Sequence, residues 1–138
     1  MSSPSSLQLT YRADLDVLTA RWFVPSAFPQ LQQEYAAVLA AGLAHGTSRW
    51  LLDVRRTPTP SAEATHWVTA VWLPRAAGQV ARPLHLAYLL SPQRTAAIFT
   101  DAGAHAQVEQ VLAPGQSFQL QLFGDEGAAV RWLTEAPA

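Results

Sequence analysis

The apolar positions of this chain change rhythm repeatedly, from a period of two to a period near 3.6 and back, and each change marks an element boundary. Leu7-Gln8-Leu9-Thr10-Tyr11 alternates and predicts a strand, and Val17-Leu18-Thr19-Ala20-Arg21-Trp22-Phe23 predicts a second. The connection Arg12-Ala13-Asp14-Leu15-Asp16 is short, so the two form an antiparallel hairpin. Leu31, Tyr35, Val38, Leu39 and Gly42 recur at helical spacing, and His45-Gly46 reads as the stop, the glycine supplying a left-handed cap. Trp50-Leu51-Leu52-Asp53-Val54 is too continuously apolar for a half-exposed strand and belongs at the sheet centre.

Ala64, Trp67, Val68, Val71 and Trp72 predict a second amphipathic helix, opened by Thr59 with Pro60 behind it, or by Ser61, and closed by Pro74 and Gly78. Leu84 to Leu90 is a strand ended by Ser91-Pro92. Between Gln93 and Ala113 the pattern weakens, with Val108, Val111 and Leu112 favouring a helix in the second half. Ser117 to Phe123 is the last strand and Glu126 to Leu133 the last helix. Alternating strands and helices predict an α/β fold. The expected form is a five-stranded mixed sheet, first strand antiparallel at the edge, with about four helices. Residues 1–6 are expected to be a flexible tail and 7–134 a single domain.

Composition narrows the chemistry. All nine basic residues are Arg, so no lysine can form a Schiff base, and the absence of cysteine removes disulfides and thiolate chemistry. A net charge of −1 without a basic run argues against nucleic acid. Only 14% of residues are charged, which leaves apolar surface for a partner and favours a homodimer. The start lacks the basic and apolar regions of a signal peptide, and no apolar run reaches a membrane span, so a cytoplasmic location is expected.

Two segments carry a resemblance. Trp50-Leu51-Leu52-Asp53-Val54-Arg55 closes the third strand, and Phe123-Gly124-Asp125-Glu126 leads into Ala129-Val130-Arg131-Trp132-Leu133. With the order of elements over residues 7–134, they resemble the SpoIIAA-like branch of the STAS superfamily, in particular small bacterial single-domain STAS/SEC14-type proteins. The resemblance implies a STAS-like fold and a role in protein interaction or small-ligand binding rather than catalysis. STAS regulators carry a phosphorylated serine near the start of the helix after the third strand. No residue here matches it directly, and Thr59 or Ser61 could be either modified or simply capping.

Ligands of open α/β sheets lie outside the carboxyl ends of the strands. Those ends deliver Ser26 after strand two, Arg55, Arg56, Thr57 and Thr59 after strand three, and Ser91, Gln93 and Arg94 after strand four. Arginines and hydroxyls beside a helix start are the ingredients of an anion site. The candidate ligand-binding set is therefore Arg55, Arg56, Thr57, Thr59, Ser61 and His66. Glu63 and His66, one helical turn apart, could serve as an oriented base or merely as a solvent-facing pair. Trp67 and Trp72 make that helix unusually apolar and are candidates for an apolar pocket or a subunit contact. The small apolar ligand or protein partner is the first reading; a small enzyme or anion-binding protein using Arg55, Arg56 and His66 is the alternative. The spacings suggest no metal site and no cofactor loop.

Overall fold

A computed structural model describes residues 6–58, 61–100 and 118–135. Its elements are β1 (Leu7–Arg12), β2 (Val17–Trp22), α1 (Phe28–His45), β3 (Arg49–Asp53), α2 (Ala62–Trp67) and α3 (Leu73–Gln79). They continue with β4 (Leu84–Leu89), α4 (Pro92–Thr100), β5 (Phe118–Phe123) and a last helix, α5 (Glu126–Glu135). The five strands lie in chain order, β1-β2-β3-β4-β5, with β1 antiparallel to β2 and every other pairing parallel. The expected α/β architecture and edge hairpin are thus present. Leu18 pairs Trp50, Trp50 pairs Leu86 and Leu86 pairs Leu120, so one register runs across the parallel strands.

The pleat sorts the apolar residues into two layers. Leu18, Ala20 and Trp22 of β2, Trp50 and Leu52 of β3, and Leu84, Leu86 and Tyr88 of β4 face one way. Against them pack Tyr35, Val38 and Leu39 of α1 with Trp72, Leu73 and Ala76 of the α2–α3 rod. On the opposite face Val17, Leu51 and Ala87 meet Ala129 and Leu133 of α5. Coverage on both sides explains why β3 and β4 are apolar without alternation. Trp50, Leu51 and Leu52 are wholly buried, as a central strand requires.

Local chemistry sets the boundaries. Asp16 turns the hairpin at φ 55, a left-handed conformation that aspartate tolerates, and accepts a 2.8 Å hydrogen bond from the Tyr11 hydroxyl. Gly46 ends α1 at φ 65, the left-handed cap expected for it. Ser61 rather than Thr59 caps α2, its Oγ accepting from the Ala64 N–H at 3.1 Å; Thr59 lies outside the described residues. Ser91 caps α4 in the same way, accepting from the Arg94 N–H at 3.2 Å, with Pro92 as the first helical residue. Helix therefore begins at Pro92, in the first half of the segment where the sequence pattern pointed to the second. Val108, Val111 and Leu112 fall outside the described residues.

Pro74 does not close the second helix. The helical run continues from Ala62 to Gln79 through one π turn at Val68–Trp72, in which the Leu73 N–H donates to the Val68 carbonyl. The widened turn relieves the carbonyl that an ordinary α-helix would drive into the Pro74 ring, and Pro74 has no N–H to leave unpaired. The extra residue also rotates the rest of the rod relative to Trp67. Trp72, a candidate for a subunit contact, consequently lies in the core at 1% exposure, its indole N–H donating to the Tyr35 carbonyl at 2.8 Å. A contact between subunits cannot be made through so enclosed a side chain. Trp67 is half-buried and packs edge-on against Phe28 and Tyr35, both at 6.1 Å between centroids.

Candidate functional site

Two depressions lie at the carboxyl ends of β2, β3 and β4. The first is a cavity of about 290 Å³, with Trp22, Phe28, Leu31, Tyr35 and Val68 as its apolar walls. Ser26, Thr57, Ser61 and Arg94 bring polar side chains to its lining, and no carboxylate among the described residues lines it. The second is an open groove of about 600 Å³ bounded by Arg55, Arg56, Ser91 and Gln93. Thr57, Pro58 and Arg94 border both, forming the partition between them.

Arg94 is set in that partition by its place on the first turn of α4. Nη1 donates to the Thr57 Oγ at 2.8 Å and to the Val54 carbonyl at 3.4 Å, and Thr57 in turn donates its hydroxyl proton to the same carbonyl at 3.1 Å. Nε and Nη2 bond to none of the described residues, and no carboxylate among them pairs with this guanidinium. Burial lowers the Arg94 pKa from the ordinary arginine value, the neighbouring Tyr35 and Tyr88 hydroxyls opposing that shift. Those two hydroxyls share a 2.8 Å hydrogen bond, and burial raises both phenol pKa values. Both are neutral donors near neutral pH. The cavity thus presents a partly dehydrated cation at one point of an otherwise uncharged lining.

Arg55 has a different occupation. Its Nε and Nη2 each reach Asp53 at 3.0 Å, and Nη2 also meets Glu126 at 3.3 Å. Arg21 completes the cluster, bonding Asp53 and Glu126 at 2.7 Å each. Two arginines against two carboxylates leave no net charge, and the cluster fastens the start of α5 to β2 and β3. Arg56 lies over the Phe23 ring at 4.9 Å, a cation–π contact at the surface.

His66 is exposed and lines neither depression, and no hydrogen bond or ion pair joins it to Glu63 among the described residues. The structure therefore gathers Arg55, Arg56 and Thr57 around the strand-three loop with Ser61 close by, and leaves His66 out. Neither Trp67 nor Trp72 lines the cavity; Val68, one residue along, does. Arg94 and Ser26, delivered by the strand-end rule, prove more central than the adjacent Arg55-Arg56 pair. The signal for this was Asp53, two residues before Arg55 and placed to neutralise it.

The cluster also predicts acid sensitivity. Burial pushes the Asp53 carboxyl up, but hydrogen bonds from Arg55 and Arg21 outweigh it and hold the pKa below the usual carboxylate value. Hydrogen bonding to Arg21 lowers Glu126 in the same direction. A carboxylate with a depressed folded pKa stabilises the fold above its unfolded pKa, and that stabilisation is lost as pH falls through the folded value. Stability should therefore drop below pH ~4, the ordinary carboxylate value. Urea midpoints of wild type and Asp53→Asn/Glu126→Gln at neutral and acid pH check this; the double variant should lose less on acidification, and an equal loss would assign the acid sensitivity elsewhere.

Comparison with family models, with curated proteins and with solved structures finds no match to this chain. Among the described residues no helix is long and apolar enough to cross a membrane, and no cluster of metal-ligating side chains occurs.

Proposed function

We propose that this chain is a STAS-like, non-enzymatic binding domain whose ligand is a small molecule with an apolar body and one anionic end. The α/β order of elements supports the first part of that reading. Arg94 carries the second. A cation stripped of part of its water and left without a carboxylate among the described residues is unfavourable on its own, and a carboxylate supplied by a ligand would offset that cost through a charge-assisted hydrogen bond. Aromatic and aliphatic walls around one guanidinium suit a compact organic acid, and a volume of about 290 Å³ sits at the small end of ligand pockets.

Phenylacetate is a suitable probe, followed by amide NMR titration. Signals of Thr57, Val68 and Arg94 should move together on saturation, and neutral phenylacetamide should bind more weakly. Arg94→Met keeps much of the side-chain length and removes the charge, and should weaken phenylacetate by about 10–100-fold, the worth of a hydrogen bond to a charged group. Unchanged affinity in Arg94→Met, or shifts confined to other surfaces, would sink the reading.

A second reading, oxyanion binding in the open groove, rests on Arg55, Arg56 and Gln93 lining it. Titration with inorganic phosphate distinguishes the two, because it would move the Arg55, Arg56 and Gln93 amides and leave Val68 unaffected.

A further inference from the structure

Beside the cavity, beyond its wall residues Trp22 and Ser26, lies a second set of polar groups. Glu34, on α1, is buried at 8% exposure, and Ser6, ahead of β1, at 6%. The Glu34 carboxylate accepts from the Trp22 indole N–H at 3.0 Å, from the Gln30 amide at 3.3 Å and from the Ser6 hydroxyl. Ser26, which lines the cavity, completes the line with its Oγ at 3.2 Å from the Ser6 Oγ.

With Glu34 as a carboxylate, the direction of every proton in this line follows from its buried end. A carboxylate has no proton to give, so the Ser6 hydroxyl must donate to Glu34. Gln30 donates to the same Ser6 oxygen at 3.0 Å, again using an acceptor site. The Ser6 proton being committed, the contact between the two serines is made only with Ser26 as donor. A hydroxyl has one proton and two lone pairs, so Ser26 turns acceptor capacity toward the cavity and has no proton left for a ligand.

We infer that the ligand of this cavity is a hydroxylated monocarboxylic acid, its carboxylate on Arg94 and a hydroxyl donating to Ser26. This rests on the cavity being the binding site. An ammonium would also supply a donor, but no carboxylate among the described residues lines the cavity to compensate it, and Arg94 already places positive charge there. A neutral O–H satisfies Ser26 at lower cost. The line of serines therefore selects between acids of the same apolar body: one without the hydroxyl leaves the Ser26 acceptor facing apolar ligand surface.

The test compares phenylacetate with its three ring-hydroxylated isomers by amide NMR titration on the intact chain. At least one isomer should bind about 3–10-fold more tightly than phenylacetate, the worth of one neutral hydrogen bond. Ser26→Ala should erase that preference, so that phenylacetate and its hydroxylated isomers bind alike. Ser6→Ala frees the Ser26 proton, so Ser26 can donate as well as accept, and the preference should shrink while the Ser26 hydroxyl remains. Should every isomer bind no better than phenylacetate while Arg94→Met still weakens phenylacetate binding, the hydroxyl assignment is overturned and the anion site stands. A preference that survives Ser26→Ala overturns it equally. Absence of binding by all four acids overturns both.

Discussion

Gly42→Ala is expected to lower stability by about 3 kcal/mol, the upper end of what overpacking a core costs. Gly42 lies on the inner face of α1, where the Trp50 ring from the central strand is pressed against the helix backbone. A methyl group there would stand 2.3 Å from Trp50 Cζ2 and 2.6 Å from Cε2. The ring cannot yield easily. It is wholly buried, its N–H is held by the Thr47 carbonyl at 2.8 Å, and Trp72 flanks it at 6.0 Å. Trp50→Leu creates space at the same point, so the double variant Gly42→Ala/Trp50→Leu should be destabilised by less than the sum of the two, by ~1 kcal/mol or more. Urea unfolding of the four proteins decides it. Strict additivity, or a Gly42→Ala cost within ~0.5 kcal/mol of zero, would mean the helix and strand are not in this contact.

Leu133→Ala should cost about 2–5 kcal/mol, because α5 packs over the middle of one sheet face, on β2, β3 and β4. Leu133 is wholly buried with Ala129, over Val17, Leu51 and Ala87. Trp132 is half-buried at the helix flank, edge-on to His85 and tilted against Phe123, at 5.8 Å from each. Trp132→Ala should consequently cost less than Leu133→Ala despite removing more atoms. Denaturant midpoints of the two variants would reverse that order if the helix were rotated about its axis.

Legibility in the sequence depends on which interactions are local. The run Trp50 to Val54 announces its place because a strand covered on both faces has no polar positions to alternate, and the hairpin announces itself through a short polar connection. Gly46 was readable because a left-handed cap is a one-residue requirement. Trp72 was not. Its burial depends on a π turn that draws it round toward the face of Trp67, so that both rings meet Tyr35, whereas at 3.6 residues per turn the two stand about 140° apart. Pro74 hid the same turn, since proline in mid-helix ordinarily means an end. The cavity was legible only as a location. The strand-end rule named Ser26, Thr57 and Arg94, but the Arg94–Thr57 bond spans 37 residues and the Ser6–Glu34 bond 28, and no local pattern reports such pairings. Arg55 and Arg56 drew attention because they are adjacent in sequence, and adjacency says nothing about which cation is already neutralised.

The chain-ordered sheet has a consequence for how the molecule assembles. Each strand pairs with the one made just before it, so every step of sheet growth closes only the loop contributed by one connecting segment, and loop-closure entropy is met in small instalments. The bond from Arg21 to Glu126 is of another kind, joining residues 105 positions apart. It ties the second strand to the last helix, across a sheet that must already have reached β4 for Ala129 and Leu133 to find their partners. That charge cluster acts as a clasp, linking the earliest strands thermodynamically to the last helix of the fold.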